Sequence, residues 1–145
     1  MPTVRSVLAS KLQGIESTTP EATVLEAVHQ MNAHQIGALV VMDGERVAGI
    51  FTERDVLRRV LGDEKDPATT RVGQVMTSKV VCCDPDADLD EVATLMKNRR
   101  IRHVPVCNGD GRLLGMVSIG DINAAYTSDQ EATIHFLNEY IYGRA

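Results

Sequence analysis

Two hydroxyl–carboxylate pairs stand out for the chemistry their spacing allows. Thr52 precedes Asp55 by three residues, and Ser118 precedes Asp121 by three. An ionised carboxylate only accepts, and it can take two hydrogen bonds at once, which suits the vicinal 2′- and 3′-hydroxyls of a ribose. A hydroxyl at a helix N-terminus can bond a ligand oxygen where phosphate is also favoured. The same pattern caps helices of every kind, so spacing alone leaves both readings open. A second group is basic: Arg99, Arg100, Arg102 and His103. Guanidinium forks fit phosphate oxygens, and a nearby anion favours protonated His. Arg99 and Arg100 read as a solvated helix end, where cations are stabilising. Arg102 and His103 enter a strand, whose neighbouring side chains point to opposite faces, so only one need reach a given ligand.

The remaining reactive residue types form no catalytic set. Cys82, Cys83 and Cys107 lack Cys-x-x-Cys spacing, and adjacent strand residues do not readily face one metal. They read as buried or half-buried thiols. His29, His34 and His135 read as surface or cap residues, and the Met residues at helical spacing as core. No catalytic residue and no metal site is expected, so the chain is not expected to be an enzyme.

Composition narrows the classes further. The chain has 145 residues and a net charge of −5, from 15 Lys and Arg against 20 Asp and Glu. A general nucleic-acid binder would be basic overall. Two Phe, three Tyr and no Trp leave little to stack on single-stranded bases. The longest apolar run, Ile36 to Met42, is far short of a membrane span, and no signal-peptide pattern opens the chain. The expectation is a soluble cytoplasmic protein.

The elements that must position these residues come in two copies. Pro20 and Pro85 are 65 positions apart, and so are the apolar residues after them: Val24, Ala27, Val28 and Met31 against Leu89, Val92, Ala93 and Met96. Each set is one face of an amphipathic helix. Thr23 with Glu26 predicts a capping box, and Asp88 with Glu91 resembles one. Each helix is followed by strand, turn and strand: Ala38–Met42, Asp43-Gly44 and Val47–Phe51, then Val104–Cys107, Asn108–Gly111 and Leu113–Val117. Second helices are predicted over Glu53–Leu61 and Ile119–Tyr126, and a final one carries Ile134, Leu137 and Ile141. Each copy is β-α-β-β-α, too small to be stable alone. Packing two sheet faces together is expected to bury a shared core and leave two related clefts about a pseudo-twofold axis. The expected divisions are 8–62 and 75–126 for the repeats, 63–74 for the connection and 127–145 for the C-terminal helix.

This pattern resembles a tandem pair of cystathionine β-synthase (CBS) domains, or Bateman module, of the small stand-alone kind. The residues that carry the likeness are Gly49-Ile50-Phe51-Thr52-Glu53-Arg54-Asp55, Arg102-His103-Val104-Pro105-Val106 and Gly115-Met116-Val117-Ser118-Ile119-Gly120-Asp121, with the lead-in Val75-Met76-Thr77. The resemblance implies an α/β (α+β) fold and a regulatory module that binds adenosine derivatives: AMP, ADP, ATP, NAD or S-adenosylmethionine. It places Asp55, Asp121, Thr52 and Ser118 on ribose. It places Arg102 and His103 on phosphate, with Arg54 and Lys11 as further candidates. Thr18, Thr19, Val80 and Val81, on the leading strands, would cradle adenine, together with Ile36, Ala38, Ile101, Val104 and Pro105. It also implies a homodimer, for which Leu57, Val60 and Leu61 are a candidate contact. Membrane association is not expected, and the regulated partner is left unnamed.

One departure bears on the clefts. Arg102 and His103 align with Gly37 and Ala38, which carry no charge, while Arg54 aligns with Gly120. The two clefts are therefore expected to differ in affinity and ligand. The alternative reading, from a different class, is a constitutive dimerisation scaffold with empty clefts.

Overall fold

The computed structural model describes residues 2–10 and 15–127. Lys11, His135 and the expected helix with Ile134, Leu137 and Ile141 lie outside the described residues. The chain runs α1 (Val4–Ser10), β1 (Ser17–Thr18), α2 (Val24–His34), β2 (Ala38–Asp43), β3 (Arg46–Thr52) and α3 (Glu53–Asp55), which continues as a π-helical segment, Val56–Leu61. Then come α4 (Val72–Val75), α5 (Leu89–Arg99), β4 (His103–Cys107), β5 (Leu113–Ser118) and α6, helical over 119–127.

Helices α2 and α5 are 65 residues apart and form for the same reason. Val24, Ala27 and Met31 on one, and Leu89, Val92 and Met96 on the other, make a buried stripe. The Thr23 capping box is complete: Glu26 N donates to Thr23 Oγ1 at 3.1 Å, and Thr23 N donates to Glu26 Oε1 at 3.4 Å. Asp88, by contrast, makes no side-chain cap bond, because Glu91 N donates to the Asp88 main-chain carbonyl instead, at 3.1 Å. Both helices stop on a left-handed residue that is not glycine, Gln35 (φ 54°) and Arg100 (φ 55°). The next amide folds back on the helix in each case, Ile36 N to Met31 O and Ile101 N to Met96 O, both at 3.0 Å. Such a turn costs a side-chain-bearing residue about 1–2 kcal/mol, and here it aims the chain straight into a strand.

The first sheet has the order β1-β2-β3, with β1 parallel to β2 and β3 antiparallel to it. The second is the hairpin β4-β5. Their registers repeat, Ala38 opposite Thr52 and His103 opposite Ser118, and each hairpin carries a bulge near its turn. The leading strand expected for the second repeat is reduced to a single parallel bridge, Cys83 to Val106. The reason lies just upstream. Thr77 is already bridged to Ile50 of the first sheet, by two bonds of 2.9 Å, so the intervening residues must span from one sheet to the other.

The helix-facing side of each sheet has its own core, while Ala38, Val40 and Ile50 are buried on the other face, the one expected to pack between the sheets. Val24, Ala27, Met31, Leu39, Val41, Phe51 and Val60 form the first, and Leu89, Val92, Met96, Val104, Val106, Val117 and Ile122 form the second. Each sheet spends one face on its own helices, and the alternate residues, such as Ile50, Ala38 and Met116, point the other way. The short helices are exchanged. Val72 and Val75 of α4, which lead into the second repeat, complete the first core, whereas Val4 and Val7 of α1, which lead into the first, complete the second. Val60, expected at a dimer contact, is fully buried in the first core, while Leu57 and Leu61 are exposed. A π-helical turn widens the spacing of that segment and separates these neighbours in fate.

Candidate functional site: two unequal clefts

Each hydroxyl–acid turn is built by its hairpin. Strand β3 delivers Thr52 as the N-cap of α3, and β5 delivers Ser118 to the start of α6. The turn is then tied back to the strand start beside it: Glu53 N donates to Gly37 O at 3.0 Å, and Ile119 N donates to Arg102 O at 2.8 Å. Asp55 N donates to Thr52 Oγ1 (3.2 Å) while Thr52 N donates to Asp55 Oδ2 (3.0 Å). The second turn copies this, with Asp121 N to Ser118 Oγ at 3.1 Å and Ser118 N to Asp121 Oδ2 at 2.8 Å. The helix-cap reading of both acids is thus realised in full.

Each turn also walls a cavity whose far side comes from the other repeat. The larger, about 890 Å³, joins Thr52 and Asp55 to Thr77, Val80 and Val81 and to the turn from Arg99 to His103. The smaller, about 370 Å³, joins Ser118 and Asp121 to Ile15 and Glu16 and to the turn from Gln35 to Ala38. Small-molecule sites occupy roughly 300–1,000 Å³, so one cavity sits near each end of that range. The left-handed residue ending α5 therefore shapes the Asp55 cleft, and the one ending α2 shapes the Asp121 cleft.

Their electrostatics are opposed. Seven Arg or Lys side chains line the Asp55 cleft against two carboxylates, Glu53 and Asp55. Among the described residues no Arg or Lys lines the Asp121 cleft, whose carboxylates are Glu16 and Asp121. His103 and Ser118 border both. The cations are partly organised already. Arg54 Nη1 donates to Arg100 O at 3.2 Å, a link across the repeats. Arg59 Nε lies 3.6 Å from Asp55 Oδ1, and its Nη1 donates to Met76 O at 3.0 Å.

Asp55 is 6% exposed and heavily engaged. Oδ2 accepts from Thr52 N and from Thr52 Oγ1 (3.2 Å), while Oδ1 accepts from Thr77 Oγ1 (3.3 Å) beside Arg59. A carboxylate offers about four lone-pair sites, so a ribose hydroxyl reaching Oδ1 must displace Thr77 or Arg59. Asp121 is only half-buried.

Of the residues read as adenine contacts, Val80, Val81 and Ile101 line the larger cavity, and Ile36 and Ala38 the smaller. Thr18, Thr19, Val104 and Pro105 line neither. Thr18 is buried in β1, and Val104 points into the second core. Arg54, Arg102 and His103 all border the Asp55 cleft, so Arg102 shares a cavity with the acid of the opposite repeat. Sequence reasoning passed over Arg58, Arg59, Lys79, Ile15 and Glu16. Only Arg59 carried a signal, its position one helical turn after Asp55.

Among the described residues no group of three His, Cys, Asp or Glu could hold a metal ion, and no helix is long and apolar enough to cross a membrane.

Comparison with known proteins places this geometry. The CBS domain family profile matches residues 8–62 and again 72–128. A mitochondrial CBS domain-containing protein of Arabidopsis thaliana, CBSX3, is 36% identical over 150 residues, covering 97% of this chain and 72% of that protein. A solved protein with CBS domains from Burkholderia ambifaria is 40% identical at a TM-score of 0.85, covering 89% of this chain and 96% of that one. The CBS domain pair of protein MJ0100, solved with 5′-methylthioadenosine and S-adenosyl-L-methionine, is 25% identical at a TM-score of 0.75, covering 86% and 99%.

Proposed function

Because this chain belongs to the CBS-domain family, a family of regulatory modules, we propose that it binds adenine ribonucleotides in the two clefts between its repeats and signals their level without catalysing a reaction. The observation that carries this reading is the Asp55 cleft. It opposes a ribose-type acceptor on one repeat to guanidinium groups on the other, in a cavity of about 890 Å³. Asp55 and Thr52 would take the ribose, with Val80, Val81 and Ile101 against the base. Arg102, Arg54 and His103 would take phosphate, and Arg59, once displaced from Asp55, becomes a further phosphate partner.

The clefts divide by charge. Seven lining cations suit a di- or triphosphate, so ATP, ADP or NAD belongs in the Asp55 cleft. The Asp121 cleft, smaller and without Arg or Lys among its described lining, suits adenosine with little negative charge. The ligand pair of the MJ0100 structure, one neutral and one a cationic sulfonium, supports that second assignment by likeness.

One observation favours the alternative, a constitutive dimerisation scaffold: the cap, Thr77 and Arg59 already occupy the Asp55 carboxylate, while Leu57 and Leu61 stand exposed at 64% and 58%. Calorimetry of ATP and adenosine against wild type and Arg102→Ala separates the two. A charge-assisted bond is worth about 1.5–3 kcal/mol, so ATP should weaken by up to about a hundredfold while adenosine stays unchanged. Heatless titrations with every nucleotide would leave the scaffold reading.

A further inference from the structure

The three cysteines lie outside both clefts, where the chain leading into the second repeat meets β4. Cys83 N donates to Pro105 O at 2.9 Å and Cys107 N donates to Cys83 O at 3.0 Å, which seats Cys83 beside Val106. Side chains alternate along extended backbone, so Cys83 turns toward the second core while Cys82 and Cys107 share the other face. There Cys107 Sγ donates to Cys82 Sγ at 3.2 Å. Cys82 is exposed and Cys107 half-buried, at the edge of an open depression rimmed by Arg46 and Asn108.

We propose that Cys82 and Cys107 are an oxidative modification site, at which a peroxide joins them into a reversible disulfide that pins the leading segment of the second repeat to β4. The roles follow from the geometry. Cys82 is solvent-exposed and accepts a hydrogen bond, so its sulfur, as thiolate, attacks one peroxide oxygen. The O–O bond breaks, hydroxide leaves and is protonated to water, and Cys82 becomes a sulfenic acid. Cys107 is the resolving thiol. Burial and its bond to Cys82 push its pKa up to about 12, so it keeps its proton until Cys82 has been oxidised. Its sulfur then attacks that of Cys82, the S–O bond breaks, and the second water leaves with the Cys107 proton. Two thiols and one hydrogen peroxide give one disulfide and two waters, the peroxide taking both electrons. A thiol reductant reverses the bond by exchange. Closing 3.2 Å to a bond of about 2.05 Å needs roughly an ångström of travel, and Cys82 is outside any regular strand.

The bond has a structural consequence. A single bridge, Cys83 to Val106, holds this segment to β4, and its next residues back, Val81 and Val80, wall the larger cavity. A covalent tie at Cys82, the residue next to that wall, stiffens it, whatever the cavity holds.

The test treats the full chain with one equivalent of hydrogen peroxide at neutral pH, followed by intact-mass analysis and tryptic mapping without reductant. The expected product is a monomer lighter by two hydrogens, with fragments 80–97 and 103–112 linked and separated again by dithiothreitol. Cys83→Ser should behave identically, and Cys82→Ser and Cys107→Ser should form no link. The oxidised protein should melt several degrees higher and exchange its amides over 80–83 more slowly. A Cys82–Cys83 bond, links only between chains, sulfinic acid without a link, or unchanged exchange over 80–83 would each overturn the proposal. The wild-type map decides this even if a variant folds poorly.

Discussion

The turns at Asp55 and Asp121 share the same two cap bonds, yet they open on cavities of about 890 and 370 Å³ with opposite electrostatics. The contrast shows how a duplicated unit diverges. Backbone register is internal to each repeat, set by its own hairpin and cap, so it survives duplication. A cleft's charge is set by both repeats: Arg54, Arg58 and Arg59 follow Asp55 in its own repeat, while Lys79, Arg99, Arg100 and Arg102 come from the other. Where the first repeat has Gly37, the second has Arg102, which lines the cleft of Asp55 and not that of Asp121, while His103 borders both. The distant pairing also explains why both C-cap turns keep a left-handed residue: each is a wall of its neighbour's site.

The largest effect expected from this contrast is on binding. Asp55→Ala should weaken ATP by about ten- to a hundredfold, the loss of charge-assisted bonds worth about 1.5–3 kcal/mol, and leave adenosine at the second cleft unchanged. Asp121→Ala should do the reverse. Calorimetry with both ligands checks this, and a loss of both ligands from either variant would merge the two clefts into one functional unit.

Next come the paired glycines, 66 positions apart. A Cβ on Gly49 would meet the Thr77 carbonyl oxygen at 2.6 Å, main chain that cannot give without breaking the Thr77–Ile50 bridge. A Cβ on Gly115 would meet the tip of Leu8 at 2.7 Å, a flexible side chain that can turn aside. Gly49→Ala should cost about 2–3 kcal/mol, and Gly115→Ala about 1 kcal/mol or less. Urea unfolding of the two variants compares them, and equal costs would mean that α1 is held as rigidly as the Thr77 crossing.

The caps give a smaller difference. Thr23→Ala removes a complete capping box and should cost about 1 kcal/mol. Asp88→Ala removes no cap bond, only a carboxylate near a helix N-terminus, and should cost about 0.3–0.5 kcal/mol. Thermal melts ordered the other way would contradict the cap geometry.

The smallest effect should come with alkali, and only in the second half, since all three cysteines lie there. Burial raises Cys83 to about 11 and Cys107 to about 12 from the usual 9. A raised thiol is neutral in both states below the unfolded pKa, so its contribution is intact there. It is lost as pH rises from about 9 toward 12, because the unfolded chain ionises first. Solvent screening of these partly exposed groups keeps the loss modest. Hydrogen exchange at pH 7 and 10, corrected for intrinsic rates, should show the second core weakening relative to the first; Cys107→Ser should reduce that difference, and Cys83→Ser combined with Cys107→Ser should abolish it.

Much of this was legible in the chain. The offset of 65 and then 66 fixed both helices, both hairpins and the two acid turns, because periodicity and turn chemistry act over a few residues and repeat with them. Thr23 capped as its spacing required. Long-range exchange is what local pattern does not encode. Val72 and Val75 carry the same apolar signal whether they pack on the repeat they precede or the one they follow, and long-range main-chain bonds decide it: Val72 N to Ala22 O, Gly73 N to Pro20 O and the Thr77–Ile50 pair. The Thr77–Ile50 crossing also reduced a leading strand to one bridge, and the pairing of the repeats put Arg102 and Asp55 on the walls of one cavity. Burial likewise removed Thr18 and Val104 from the clefts, since alternation says that neighbours part but not which face looks inward. Sequence determined the two copies; only packing determined which half of each copy meets which half of the other, because that choice depends on contacts between residues far apart in the chain.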